Sequence, residues 1–217
     1  MLDKLLQRIG AQYPLQTIDV KDMGHIKAGG MNFTVRAWHA QGLGHVSAMH
    51  ASGFFGLMKM DTLVINPSAM DLPLLSYDRI QAMGNETLLV ELYNTLAGPC
   101  DRSLLQQVKS AYTDLPDYTP DAHWYDALLL PESIHKKGKK AQRQRYDSLT
   151  EAFLQAYLNS GAACTPEAAA VKREKAYAYA EELLRSGGPS TDVFKKTLGE
   201  DVTARFFRNY FFGTANM

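Results

Sequence analysis

Few features of this 217-residue chain point to a bound metal or to nucleic acid. Its two cysteines, Cys100 and Cys164, are far apart and belong to no Cys-x-x-Cys or Cys/His ligand spacing, so the sequence predicts no structural zinc site and no iron–sulfur cluster. Such sparing use of cysteine is typical of a reducing cytoplasm. Lysine plus arginine and aspartate plus glutamate both number 23, and a formal net charge of zero argues against a protein that coats nucleic acid.

Long hydrophobic runs and nucleotide-binding motifs are also missing. No apolar stretch approaches the roughly 20 residues that cross a bilayer. Residues 1–13 have the spacing and interspersed charge of an amphipathic helix rather than of a signal peptide. The chain contains no Gly-x-Gly-x-x-Gly, Walker or Gly-x-Ser-x-Gly sequence, and no two histidines are four residues apart on a predicted helix. We therefore expect a cytoplasmic protein that binds no membrane and has no metal site.

What the chain does contain is a β-rich first half. Residues 31–39 alternate apolar and polar side chains, as a half-buried strand does. Short turns such as Ser52-Gly53 and Gly84-Asn85 predict antiparallel neighbours rather than parallel strands joined by helices. The other predicted strands are residues 45–51, 54–65, 74–82 and 86–93.

The second half is helical. Residues 101–112 carry one apolar stripe, and a second stripe begins at Tyr146. A capping threonine with proline and glutamate after it starts a helix at Thr165, and glycines end it at residues 187–188. Two short helices follow, the last rich in phenylalanine. Strands first and helices later predict one α+β domain over residues 1–217, a three-layer α/β/α sandwich with a central antiparallel sheet flanked by helices.

Asp78 is the first candidate for chemistry. In the strand predicted over residues 74–82, it shares a face with Leu74, Ser76 and Ile80, because side chains alternate along a strand. A carboxyl group on that largely apolar face loses solvation, which raises its pKa and suits it to hold and donate a proton. The spacing alone also fits a structural acid paired with Arg79.

Three other features remain open on pattern alone. His50 follows two apolar residues on its strand face, where a histidine is either a satisfied core residue or a catalyst. Thr62 lies on an apolar strand face, and its neighbour Asp61 pairs on the other face with Lys59. The basic stretch 135–145 is either a solvated loop running into a helix or a docking patch for an acidic partner.

Two stretches together resemble the ferredoxin-dependent bilin reductases, a family that includes red chlorophyll catabolite reductase. Residues 65–78 end in DLPLLSYD and are similar to the family's strand–proline–loop element DLP(I/L)(F/L)GxD. At the C-terminus, two helical tyrosines are followed by residues 194–201 and by the aromatic run 206–212, in the order of the family's closing helices. The resemblance spans roughly residues 30–95 and 145–212.

The resemblance implies an α/β/α sandwich that holds a linear tetrapyrrole between the sheet and the C-terminal helices. It also implies that the protein has no metal or flavin of its own. Reduced ferredoxin supplies single electrons, and the protein supplies protons to the substrate radicals. A neutral acid beside the tetrapyrrole is needed because each added electron raises the basicity of the pyrrole system.

The resemblance also implies roles for individual residues. Asp78 matches the proton-donating aspartate, Thr87 falls where a hydroxyl contacts a substrate propionate, and Asp147 is the nearest candidate for a second acid. Thr62 stands where one branch has histidine and others have asparagine, and His50 stands where that branch has glutamate. Either the full acid–histidine set of that branch is absent, or its histidine has moved to the facing strand. His50 would then be an auxiliary donor or a hydrogen-bond partner, with Thr62 as a substrate-binding residue.

The predicted function is the reduction of biliverdin or a related bilin by sequential electron and proton transfer. Ferredoxin or a similar acidic electron donor would dock on the basic stretch near Lys136. Two alternatives remain: a protein that carries a tetrapyrrole or haem without reducing it, and an interaction protein whose aromatic C-terminal helix is core or a dimer contact.

Overall fold

The computed structural model describes residues 1–216 and contains one antiparallel sheet with helices on both faces. The six helices are α1 (Leu2–Gln12), α2 (Ser103–Ser110), α3 (Arg143–Ser160), α4 (Pro166–Ser186), α5 (Pro189–Leu198) and α6 (Glu200–Phe206). The eight strands are β1 (Leu15–Ile18), β2 (His25–Ala28), β3 (Met31–Ala40), β4 (Gly44–Gly53), β5 (Met58–Pro67), β6 (Leu74–Ala82), β7 (Asn85–Tyr93) and β8 (Ile134–Lys139).

The strands follow one another across the sheet in the order β1-β3-β4-β5-β6-β7-β8, and β2 also pairs with β3. The turn between β6 and β7 fixes the register that matters most. It consists of Met83 and Gly84, whose φ angles of 49° and 76° match a two-residue hairpin turn in which both residues are left-handed. This turn pairs Ala82 with Asn85, and therefore sets which side chains of β6 and β7 stand opposite each other.

Two separate cores lie on the two faces of the sheet and confirm the predicted three-layer sandwich. On one face, α1, α2 and α3 contribute apolar side chains such as Leu5, Leu105 and Phe153. On the other, α4, α5 and α6 contribute Leu183, Phe194 and Phe206. The strands alternate between these cores, as side chains on successive residues of a strand must. Within residues 1–216, no helix is long and apolar enough to cross a membrane.

The structure shows a strand in the basic stretch, where one interpretation of the sequence was a solvated loop. Residues 134–139 form β8, which pairs with β7 at the edge of the sheet, and Lys140 lies beyond its end. The basic side chains hide the strand pattern, because only Ile134 and Lys136 of the alternating set are buried and lysine is depleted in strands. The short strands β1 and β2 also lie where the sequence predicted none, since four residues are too few for a periodic pattern.

A buried ionic network holds α3 against β6 and β7. Glu86 is fully enclosed and accepts hydrogen bonds from both Arg79 and Arg143; the Arg79 Nε–Glu86 Oε2 distance is 2.8 Å. The Arg79 guanidinium lies 4.8 Å from the centre of the Tyr146 ring. Removing one partner from a buried network leaves the others charged without compensation, which costs far more than losing an exposed pair.

We expect Glu86→Gln to lower the free energy of unfolding by about 3 kcal/mol, because Arg79 and Arg143 lose the buried carboxylate between them while the side chain keeps its size. Glu182→Gln is the matched control: its pair with Arg185 lies on the surface, so the loss should stay below about 1 kcal/mol. Urea unfolding followed by circular dichroism measures both. Equal losses in the two variants would contradict the assignment of Glu86 as the centre of the network.

Candidate functional site

A cavity of about 360 Å³ lies between the sheet and the C-terminal helices. Its floor is formed by side chains of β5, β6 and β7, and its roof by α4, by the residues around the start of α5, and by the aromatic segment after α6. The loop before β8 closes one side with Tyr118, His123 and Tyr125. The volume is within the range of about 300–1,000 Å³ that is usual for small-molecule sites.

Asp78 lies on the floor of this cavity and has no cationic partner there among the described residues. Its Oδ1 accepts a hydrogen bond from the Thr62 hydroxyl at 2.5 Å, and its Oδ2 lies 3.5 Å from the Ser76 hydroxyl. Burial raises the pKa of Asp78 to about 6; the hydrogen bonds from Thr62 and Ser76 oppose this rise, and the nearby Glu91 carboxylate adds to it. The carboxyl group can therefore exchange a proton near neutral pH.

Thr62 and Thr87 both line the cavity, as Asp78 does. Thr62 is the direct strand partner of Asp78, which explains their short hydrogen bond. Thr87 lies at the end of the cavity towards the Met83-Gly84 turn, opposite Ile80 on β6 and Lys137 on β8. The structure thus brings three of the five sequence-predicted site residues together.

A second acid, which the sequence analysis did not single out, lies on the same floor. Glu91 accepts a hydrogen bond from the Tyr93 hydroxyl at 2.6 Å and lies 3.1 Å from Nε2 of His135. A signal was available, because Glu91 interrupts an apolar face of its predicted strand just as Asp78 does. His135 was obscured by the basic residues that follow it.

Aromatic rings form much of the cavity wall. Tyr93 and Tyr179 lie with their ring centres 4.4 Å apart, and Tyr179 meets Phe212 edge to face at 5.6 Å. Burial raises the pKa of Tyr93 and of Tyr179, so both hydroxyls stay neutral at physiological pH. Such a wall offers a flat, conjugated ligand apolar contact and stacking while excluding water.

His50 lies on the opposite face of the sheet from Thr62 and Asp78, which corrects the expectation that it stands beside Thr62. Its Nδ1 is 2.7 Å from Oδ1 of Asp61, and it is exposed. The strand partner of Thr62 is Met49, not His50. Successive residues of a strand point to opposite faces of the sheet. Met49 therefore points to the cavity side, and His50 points away from it.

Asp147 is also separated from the cavity. It lies on α3, which packs on the other face of the sheet, and its Oδ1 is 3.5 Å from Nη2 of Arg79. Because α3 covers the face of the sheet opposite the cavity, Asp147 does not lie beside Asp78. Its carboxylate belongs with the buried ionic network of Glu86.

The basic stretch is only partly available as a docking patch. Lys136 is buried, donates a hydrogen bond to the Leu115 carbonyl and pairs with Asp117 at 2.7 Å. Arg143 and Arg145 pair with acidic residues as well. Alternation along β8 and the end of the strand leave the exposed lysines on the surface near the Thr87 end of the cavity: Lys137, Lys139 and Lys140.

No protein-family model matches this sequence, and no curated protein matches it. A solved structure does match in three dimensions: phytochromobilin synthase from tomato, in complex with biliverdin. The two share a TM-score of 0.79 and 13% sequence identity, over 99% of this chain and 82% of that one. At this identity the likeness shows a common fold, the α/β/α sandwich that the sequence resemblance to the bilin reductases implies.

Proposed function

We propose that this protein reduces a linear tetrapyrrole, biliverdin or a related bilin, by sequential electron and proton transfer. The observation that carries the proposal is Asp78, a carboxyl group with a pKa of about 6 that faces an aromatic cavity in a fold shared with a biliverdin-bound enzyme. A bilin-related oxidoreductase is the class of activity that this likeness supports. Which double bond is reduced depends on which bilin binds and on how it is oriented in the cavity.

Asp78 is the proposed proton donor. Reduction of one double bond adds two electrons and two protons, and the one-electron intermediate is more basic than the starting pigment. An acid with a pKa of about 6 keeps a protonated fraction near neutrality and can give its proton to that intermediate, whereas an ordinary aspartic acid is almost fully ionised. Thr62 would then donate its hydrogen bond to the carboxylate that remains, because its hydroxyl already points at Oδ1.

Thr87 is the proposed anchor for a substrate carboxylate. It lies near the end of the cavity, and Lys137 is its strand partner on β8. The Lys137 ammonium lies 4.7 Å from the centre of the Tyr118 ring, which lines the same cavity. A hydroxyl and a neighbouring cation suit an anionic side chain, and they would orient the pigment with its propionates towards this end.

Ferredoxin or a similar acidic protein is the proposed electron donor. The reaction needs no resident flavin or metal, since single electrons pass from the donor to the bound pigment. The exposed lysines Lys137, Lys139 and Lys140 lie beside the propionate end of the cavity and offer a positive surface to such a donor. Docking there would bring the donor close to one edge of the conjugated system.

We expect Asp78→Asn to bind biliverdin with a Kd within about threefold of the parent protein, because the amide keeps the size of the carboxyl. Reduction should slow at least 100-fold and stop at a one-electron species, because the proton donor is gone. Anaerobic single-turnover spectroscopy with reduced ferredoxin, with electron paramagnetic resonance to detect the radical, measures this. Full turnover would remove Asp78 from the mechanism. If the parent protein binds biliverdin but never reduces it, the result favours the carrier function.

The pH dependence of reduction follows from the protonated form of Asp78. The group is protonated below its pKa, so the rate of single turnover should be highest below about pH 6 and fall as pH rises through that value. Thr62→Val removes a hydrogen bond that favours the carboxylate, so it should raise the pKa and move the fall to higher pH. A rate that is flat from pH 5 to 8, or a shift to lower pH in Thr62→Val, would contradict this role.

Asp78 lies on the cavity face of the sheet, whereas His50 and Asp147 lie on the other face, so substitutions at the two kinds of position should differ in their effect on the rate. His50→Gln and Asp147→Asn should each keep at least half of the parent rate, because both side chains lie across the sheet from the cavity. Steady-state bilin reduction at saturating ferredoxin compares them with Asp78→Asn. A tenfold loss in either variant, with an unchanged melting temperature, would show that its side chain reaches the substrate after all.

A further inference from the structure

Glu91 is a buried acid whose two carboxylate oxygens are both engaged. Its Oε2 accepts the hydrogen bond from Tyr93, and its Oε1 lies 3.1 Å from Nε2 of His135. Glu91 also lines the cavity. The Glu91 carboxylate therefore joins a tyrosine of the cavity wall to a histidine of the neighbouring strand.

His135 connects this acid to solvent. It lies on β8, the strand at the edge of the sheet, where it pairs with Leu89 and points to the cavity face. Its side chain is 21% exposed, whereas that of Glu91 is 10% exposed. Histidine is the side chain that exchanges protons with water near neutral pH. The pair therefore forms a short route from the surface, through the imidazole, to an acid inside the cavity.

Glu91 and Asp78 stand on neighbouring strands of one wall. Glu91 is the partner of Ser76, which places it diagonally from Asp78, a separation of about 7–8 Å between Cα atoms in an antiparallel sheet. A carboxyl group can transfer one proton at a time. Reduction of a double bond consumes two, so a second group must either protonate the substrate or refill Asp78 between the two electron transfers.

We infer that Glu91 is a second proton-transferring residue of this cavity and that His135 supplies it with protons from solvent. The inference rests on the proposed bilin reduction. In the step that it adds, the Glu91 carboxyl gives its proton to the reduced pigment, whose electron comes from ferredoxin. The His135 imidazolium then gives the proton on Nε2 to the Glu91 carboxylate, and the neutral imidazole takes up a proton from water.

The groups that face this pair identify what can titrate with it. Asp78 approaches from β6, Tyr93 from β7, Tyr179 from α4 and Tyr125 from the loop before β8. Burial raises the pKa of all three tyrosines, which stay neutral over the working range. Of the groups that face the pair, Asp78 therefore has a pKa near neutrality, and His123 contributes an imidazole to the cavity wall.

The experiment compares Glu91→Gln and His135→Ala with Asp61→Asn in single-turnover reduction of biliverdin by reduced ferredoxin. Asp61 is a matched control, because it also pairs with a histidine, His50, but on the other face of the sheet. We expect Glu91→Gln and His135→Ala to form the first reduced species at the parent rate and to complete the second protonation at least tenfold more slowly. Asp61→Asn should stay within twofold of the parent protein.

One readout separates proton supply by His135 from a structural role. Added imidazole should restore the second step in His135→Ala, because the site opens to solvent, and should have no effect on Glu91→Gln. Rates within twofold of the parent in both variants, or no response to imidazole in His135→Ala, would overturn the inference.

Failure of the proposed function gives a different result. If the parent protein binds biliverdin without reducing it, bilin reduction is overturned, and the pair is then judged by nuclear magnetic resonance of the His135 imidazole. The His135 Nε2 resonance should shift in Glu91→Gln, because its partner changes from a carboxyl group to an amide. An unchanged resonance would show that the two side chains are not in contact, and would overturn the pair as well.

Discussion

The register of the antiparallel strands β5 to β8 is the constraint on which the cavity depends. Residues that pair across neighbouring strands point to the same face of a sheet, so each row of partners belongs to one side only. One row faces the cavity and consists of Thr62, Asp78, Leu89 and His135. The adjacent row faces the helices α1 to α3 and consists of Asp61, Arg79, Leu88 and Lys136.

The two faces treat buried charge in opposite ways. On the helix-covered face, Glu86 lies between two arginines, so the cost of burying its carboxylate is compensated by opposite charge. On the cavity face, Asp78 has hydroxyl partners and a second carboxylate nearby, so burial is only partly offset and its proton affinity rises. The ionic network gives α3 a fixed position, and the uncompensated acid gives the cavity its chemistry.

The position of β8 links the cavity to its surroundings. As the last strand of the sheet, it carries His135 at the boundary between the enclosed Glu91 and water. Its exposed lysines reach the surface beside the same cavity, at the end marked by Thr87. The entry of protons, the anchoring of a substrate carboxylate and the docking of an electron donor are therefore all proposed for one edge of the sandwich. An edge strand suits these roles because one of its sides faces the neighbouring strand and the other faces solvent.

By itself, the sequence determined the order and type of the main elements and the candidate acid Asp78. Alternation over residues 74–82 and the short turns are local properties, and the aromatic C-terminal run is visible at a glance. The edge strand β8 was not predicted, because its lysines mask the alternation of apolar and polar residues. Only the tertiary structure decided which side chains meet. The strand register placed Met49, not His50, beside Thr62. The packing of α3 placed Asp147 beside Arg79, on the face of the sheet opposite the cavity. Strand register and helix placement arise from contacts between distant segments, and those same contacts brought Glu91 and His135 together across 44 residues.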